Sequence, residues 1–314
     1  MLSFIYRKRQ IWGIIFLTAS LFPNFFPNRY KTGVILTLFF ALYCIGITFI
    51  CDYITYKIDK VSVLKNILKT NANKLTYFII GFMGGFILEG IVTYLGGLWV
   101  YPFYSIPVYF IITVLLGGFG LYFLSIVLSY TAFKALLDKV RKGRKKVTKP
   151  FKSEKIIFTI LFILGLIGLI FIFFRVMVNT KLLANFVFNI STEKNPYLDF
   201  SSIILSFFSF WFIFEFIAFK RKRNSLLKNI FHDYWNPLFA IVLASIVLSV
   251  YMEIQNVPIR LWIYTNWPYQ DIKFLGIPFL VYLAWPLHYI GFLSAYRAFG
   301  DEPSREIWTG DDID

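Results

Sequence analysis

The stretch ILEGIVTYLGGLWVYPF, residues 87–103, sets one carboxylate, Glu89, in an apolar run and closes that run on Trp-x-Tyr-Pro. A carboxylate inside a bilayer costs roughly 3 kcal/mol on insertion scales, so an acid in such company faces a protein interior or a wet cavity, with a partner. The rest of the chain is of the same kind: 58% of its 314 residues are hydrophobic, 38 are Phe and only 16% are charged. Stretches of about 20 apolar residues recur, each long enough to cross a hydrocarbon core about 30 Å thick. An ordinary soluble domain is excluded by this balance, and an all-α polytopic membrane protein is expected.

Charged boundaries divide the apolar runs into eight expected spans at about 11–27, 33–56, 76–98, 106–133, 156–178, 200–219, 234–257 and 273–297. Threaded from a cytoplasmic N-terminus, they leave 25 Lys and Arg on the inner side and six on the outer, with Arg175 inside a span. That bias and the even number of spans place both termini in the cytoplasm and the protein in the cell membrane. Arg7, Lys8 and Arg9 precede the first run, which lacks a small-residue cleavage site and is read as an uncleaved span. The net charge of +15 is therefore topological and no sign of nucleic acid. The basic loop KALLDKVRKGRKKVTKPFKSEK (134–155) is read as a solvated, topology-fixing linker, with anionic lipid as its alternative ligand. Asn-Ile-Ser at 189–191 matches a glycosylation acceptor.

Polar positions repeat. Asp52 to Glu89 is 37 residues and Glu215 to Glu253 is 38; Trp99 with Tyr101 recurs as Trp262 with Tyr264, 163 residues on, the offset that also carries Asp52 onto Glu215 and Lys57 onto Lys220. Both blocks reach an Ile-Pro step, Ile106-Pro107 and Ile277-Pro278. The expected architecture is a tandem 4+4 repeat: a first unit over 1–133, the linker, a second unit over 156–297 and an acidic tail over 298–314. Four spans per unit keep both copies in the same orientation, about a pseudo-twofold axis along the membrane normal.

The acids then sort by place. Glu89, about nine residues or roughly 13 Å inside the expected span, and Glu253 are the candidates for catalysis. Asp52 and Glu215, within reach of Lys57 and Lys220, are candidates for a structural or relay role. His288, in LAWPLHYIGF, is the one span histidine and is read as a proton relay, a carboxylate partner or a buried hydrogen-bond donor. Arg175 either pairs with an acid or snorkels outward. Trp99, Tyr101, Trp262, Tyr264 and Trp285 are candidates to line a substrate site, beside the plainer reading of interface anchors. Glycines at 81, 85, 90 and 117, 118, 120 permit close helix approach. Cys44 and Cys51 are about 10 Å apart along one helix, too far for a disulfide within it. Metal, P-loop and nucleophile-elbow motifs are lacking, and neither a metal nor a soluble cofactor is expected.

LEGIVTYLGGLW, followed by an aromatic and an Ile-Pro helix start, resembles the repeated unit of the integral-membrane lycopene cyclase domain. FLGIPFLVYLAWPLHY is similar to a segment of related carotenoid-biosynthesis membrane proteins, hydratases among them. The matching positions are Glu89, Thr93, Trp99 and Pro107, then Glu253, Trp262, Gly276 and Pro278. The resemblance implies a small polytopic protein that binds a long isoprenoid and acts on it by carboxylic-acid proton transfer. It covers about 30 residues per copy, and where that family carries a Pro-x-Glu-Glu pair this chain has Val-Tyr-Phe after Pro107 and Phe-Leu-Val after Pro278. Two further readings stand beside it: a proton-coupled transporter or lipid-handling protein, and a non-catalytic subunit whose acids pair with a partner's helix.

Overall fold

The computed structural model describes residues 8–27, 29–30, 32–90, 97–104, 106–141, 152–178 and 196–300. Thr93, the 189–191 acceptor, residues 142–151 of the linker and residues 301–314 of the tail lie outside them. The described chain is helical apart from two short β-ladders. In order it forms α1 (Arg9–Ser20), a 3-10 turn (Phe22–Phe25), α2 (Gly33–Asp59), α3 (Val63–Ile67), α4 (Asn71–Glu89), β1 (Trp99–Val100) and α5 (Pro107–Phe110). A π-helical segment (Ile111–Gly118) joins α5 to α6 (Phe119–Val140). Then come α7 (Glu154–Val178), α8 (Pro196–Lys220), α9 (Leu226–Phe231), α10 (Asn236–Ile259), β2 (Ile263–Tyr264), β3 (Lys273–Phe274), β4 (Ile277–Pro278) and α11 (Phe279–Phe299).

Six described helices are long and apolar enough to cross a membrane: Gly33–Asp59, Val108–Val140, Glu154–Arg175, Pro196–Lys220, Asn236–Ile259 and Phe279–Phe299. Their outward faces have no soluble counterpart. On α7, Ile160 is 52% exposed, Ile167 58% and Phe174 62%, surface that water would penalise and lipid solvates. The chain is thus a multi-pass membrane protein. Two expected spans fall outside the six. The first is a 12-residue helix followed by the 3-10 turn, and the third is a 19-residue helix whose first turn carries Asn71, Asn73 and Lys74.

Packing follows small residues and polar side chains. α1 crosses α2 where Gly13 faces Gly46, and a Cβ on Gly46 would lie 3.0 Å from the Gly13 carbonyl. α7 crosses α8 in the same manner, Gly165 against Ser209, where a Cβ would lie 2.9 Å from the Ser209 carbonyl. Such close backbone approach is how helices associate where lipid is the solvent. α2 packs on α6 and α8 on α11, while α6 meets α10 and α4 meets α11. One core, including Leu36, Phe123, Ile241 and Leu293, runs through these contacts.

Several expected boundaries move, two of them for a visible reason. The helix over α6 runs on to Val140, so the linker begins later than residue 134. Lys134 Nζ bonds Asp138 Oδ2 one turn on at 2.9 Å, and Tyr234 and Asn236 also donate to Asp138, so the charged turn is held inside the fold. The last span begins at Phe279 rather than 273, because residues 273–278 form a β3–β4 hairpin. Its turn has Leu275 at φ 50° and Gly276 at φ 83°, the positive pair that a two-residue primed turn requires and that glycine adopts without strain.

Candidate functional site

The 98–101 and 261–264 segments, each following a helix that carries a glutamate, meet in an antiparallel ladder. Trp99 pairs with Tyr264 and Val100 with Ile263. Thr265 N–H donates to Leu98 O at 2.9 Å and Trp267 Nε1–H to the same carbonyl at 2.8 Å, lacing the segments together.

Each segment folds its rings back onto its own glutamate. Glu89, 6% exposed, accepts from Trp99 Nε1–H at 3.1 Å on one oxygen and from the Tyr101 hydroxyl at 2.6 Å on the other. Glu253, wholly buried, accepts from the Tyr264 hydroxyl and from Asn256 Nδ2–H at 3.1 Å. Burial, and then the adjacent carboxylate, raise the phenols of Tyr101 and Tyr264 well above their ordinary value, so both remain O–H donors. Glu89 is the last residue of α4, and residues 91–96 of the expected span lie outside the described residues. Trp99 and Tyr101 cover its carboxylate.

A cavity of about 70 Å³ opens beside Glu89. Its walls include Trp99, Tyr101, Trp262, Tyr264 and Trp285 as well as Glu89, so six sequence candidates converge there. Phe40 meets Trp262 edge-on at 5.7 Å, and Val114 and Gly118 of the π-helical segment complete one side. A π-helical segment shifts the helical phase by about one residue and often marks a ligand site. Glu253 does not line this cavity; its hydrogen-bond donor Tyr264 does.

His288 lines a smaller neighbouring cavity, of about 30 Å³, with Trp99 and Trp285. Its Nε2 lies 2.7 Å from the Tyr122 hydroxyl, and Trp285 stands edge-on 4.6 Å from its ring. Among the described residues its hydrogen-bond partner is this hydroxyl and not a carboxylate. Tyr122, which also lines the larger cavity, had no sequence signal among the chain's many tyrosines.

Asp52 and Glu215 line neither cavity. Asp52 accepts from Ser62 Oγ at 2.9 Å and from the Leu64 N–H at 3.0 Å, at the start of α3, and Arg9 Nε is 3.0 Å away. Glu215 accepts from the N–H groups of Leu226 and Leu227, each at 3.1 Å, at the start of α9, and from Trp211 Nε1–H at 2.9 Å. Both acids therefore bind the open N–H groups of a short helix. Ser62 and Ser225 cap those helices at matching places, 163 residues apart. The same offset in the sequence could have found them. The lysines do not serve as expected: Lys57 Nζ lies over the Tyr53 ring and Lys220 Nζ over Phe216. Arg9 is the cation at Asp52 because the first turn of α1 packs beside the end of α2.

Arg175 pairs with an acid that sequence reasoning missed, Asp199, at 2.6 Å. Asn266 Nδ2–H donates to the other oxygen of Asp199 at 3.0 Å, tying α7, α8 and the 265–267 loop together. No group of His, Cys, Asp and Glu suited to a metal ion is found among the described residues.

The fold and site define a class, a multi-pass helical membrane protein with a glutamate-bearing, aromatic-lined cavity. No family model, curated protein or solved structure matches the chain.

Proposed function

We propose that this chain is a tandem 4+4 membrane protein of the cell membrane, both termini cytoplasmic, that holds a long isoprenoid in the Glu89 cavity and acts on it by proton transfer. The repeat reading is supported by offsets that now carry geometry: Asp52, Ser62 and Gly46 correspond to Glu215, Ser225 and Ser209 at 163 residues. The paired residues Val100 and Ile263 are also 163 apart, so a twofold axis through that pair would exchange Trp99 with Trp262 and Tyr101 with Tyr264. In this arrangement α1, α2, α4 and α6 answer α7, α8, α10 and α11, eight membrane helices in all.

The observation that carries the functional reading is the lining of one cavity by a carboxyl group, its two donors and six further aromatic residues. A protonated Glu89 gives its proton to one carbon of an alkene; the O–H bond breaks, the π pair becomes the new C–H bond, and the neighbouring carbon is left cationic. Trp99 and Tyr101 then stabilise the carboxylate by donating to it. The ring faces around the cavity stabilise the cation. Attack by a second alkene of the same chain, with a proton returned to Glu89, gives a cyclised isomer; attack by water, whose surplus proton likewise returns to the Glu89 carboxylate, gives a hydrated product. Both outcomes balance without a redox cofactor.

The test is product analysis with a linear polyene in reconstituted membranes. Glu89→Gln is expected to abolish turnover, and Trp99→Leu with Trp262→Leu to reduce it severely. Turnover unchanged in Glu89→Gln contradicts the acid role; turnover unchanged in both Trp variants contradicts the placement of the substrate.

A further inference from the structure

The connection between α10 and α11 carries apolar side chains that no described residue covers. Every residue from 269 to 276 is exposed, and Tyr269, Ile272, Phe274 and Leu275 are 61%, 62%, 52% and 47% exposed. The backbone beneath them is nonetheless well fixed. Lys273 pairs with Pro278 and Phe274 with Ile277, the Phe279 N–H donates to Ile272 O at 2.8 Å, and the Tyr282 hydroxyl donates to Phe274 O at 3.3 Å. Single exposed apolar residues need no explanation, but a cluster of four held out on one hairpin marks a contact surface.

The partner follows from the surface this cluster continues. Phe239, Leu243, Val247, Ile254 and Val257 are exposed along one side of α10 at helical spacing. α10 is long and apolar enough to cross a membrane, so this stripe faces lipid. It runs into the hairpin, where a Cβ on Gly276 would lie 3.5 Å from Val257 Cγ1. Phe279 and Leu283 carry exposed apolar surface onward along α11.

Backbone and charge set the depth. A two-stranded ladder has an outer edge on each strand, and unpaired N–H and C=O groups are not tolerated in hydrocarbon. Asp271 and Lys273, both exposed, are equally unsuited to it. α10 ends at Ile259 and α11 begins at Phe279, so the hairpin stands level with the helix ends, where water reaches the backbone and apolar tips reach acyl chains. Lys273 and Phe274, consecutive in β3, point to opposite faces, one suited to each medium.

We infer that the 269–276 hairpin is an interfacial anchor whose partner is the lipid surface: Ile272, Phe274 and Leu275 rest against acyl chains, and Asp271 and Lys273 lie among the headgroups. Because Pro278 leads directly into α11, the anchor fixes the height of the helix whose Trp285 walls both cavities.

The test is the depth of a nitroxide attached in Leu275→Cys, with the full chain in vesicles of phosphatidylethanolamine and phosphatidylglycerol. Depth is read by electron paramagnetic resonance from collisions with oxygen, which enters lipid, and with a nickel chelate, which stays in water. Cys44 and Cys51 are buried, and labelling of the wild type supplies the blank. The label at Leu275 is expected about 5–10 Å below the phosphates. A label in Val247→Cys, ten residues before Val257 on the lipid-facing stripe, should read about 15 Å deeper than one in Val257→Cys, and a label in Asp271→Cys should lie at the phosphates. A Leu275 label that meets the nickel chelate more than oxygen overturns the anchor, because the hairpin then stands in water. One that meets neither overturns it too, because protein then covers the hairpin. If Leu275→Cys fails to fold, Phe274→Cys is judged by the same readouts.

Discussion

Trp99 lies directly across the short β-ladder from Tyr264, their rings edge-on at 6.2 Å, and the two serve different glutamates: Trp99 donates to Glu89 and Tyr264 to Glu253. The register of two residue pairs therefore positions the donors of both acids at once. A one-residue slip would turn every side chain of the ladder to the other face. The Thr265 backbone N–H and the Trp267 indole N–H, both donating to the Leu98 carbonyl, hold that register.

Removing a donor should cost stability before it costs chemistry. Tyr264→Phe leaves buried Glu253 with one donor fewer, a loss of about 1–3 kcal/mol for an under-satisfied buried group. Thermal unfolding in detergent measures it, and the Tyr264→Phe, Trp99→Phe double variant should show non-additivity, since the residues are in contact.

Asp52→Asn should destabilise more than Glu215→Gln. Both variants weaken the anchoring of a short helix, but the first also strips the carboxylate from Arg9, and breaking a buried ion pair from one side costs roughly 3–5 kcal/mol. Equal melting temperatures for the two variants would contradict this assignment. Ligand retention in whichever variant folds should match wild type, because neither acid lines a cavity.

Gly85 is where α4 meets the start of α6, and a Cβ there would overlap the Phe119 ring. Phe119 lines the larger cavity, so Gly85→Ala should push that ring toward the ligand space. Overpacking of this kind costs about 1–3 kcal/mol. The expected result is a lower melting temperature together with weaker ligand retention; an unchanged value of both would contradict the packing described.

Alkaline pH tests the two phenols. An unfolded tyrosine ionises near pH 10, whereas burial beside carboxylates raises Tyr101 and Tyr264 in the folded state. The folded state therefore favours the proton, and the stability this supplies is complete below about pH 10 and lost as pH rises above it. Melting temperature should fall above about pH 10, and Tyr101→Phe should flatten that fall.

Much of this was legible in the sequence because polar residues in an apolar chain have few places to go. Glu89, Trp99, Tyr101, Trp262, Tyr264 and Trp285 were selected from type and spacing, and all six border one cavity. Asp52 and Glu215 were set apart from Glu89 and Glu253 because Lys57 and Lys220 lie close in sequence, yet their partners are backbone N–H groups and Arg9, and Glu253 does not line a cavity. Apolar runs mark where a helix is wetted by lipid but carry no signal for the turn that continues beyond, which is why α6 outran its expected end at 133 and the 273–278 hairpin was taken as helix. Asp199 and Tyr122 were missed because their partners, Arg175 and His288, are distant in the chain and no spacing rule joins them.

The central claim is that the Glu89 cavity holds an isoprenoid, and the most direct measurement is organic extraction of the purified protein followed by mass spectrometry and visible absorbance. The account predicts an isoprenoid in the wild-type extract that is depleted in the Trp99→Leu, Trp262→Leu variant. An extract of ordinary phospholipid alone, identical in both proteins, would contradict it and turn attention to proton flux through the same carboxylates.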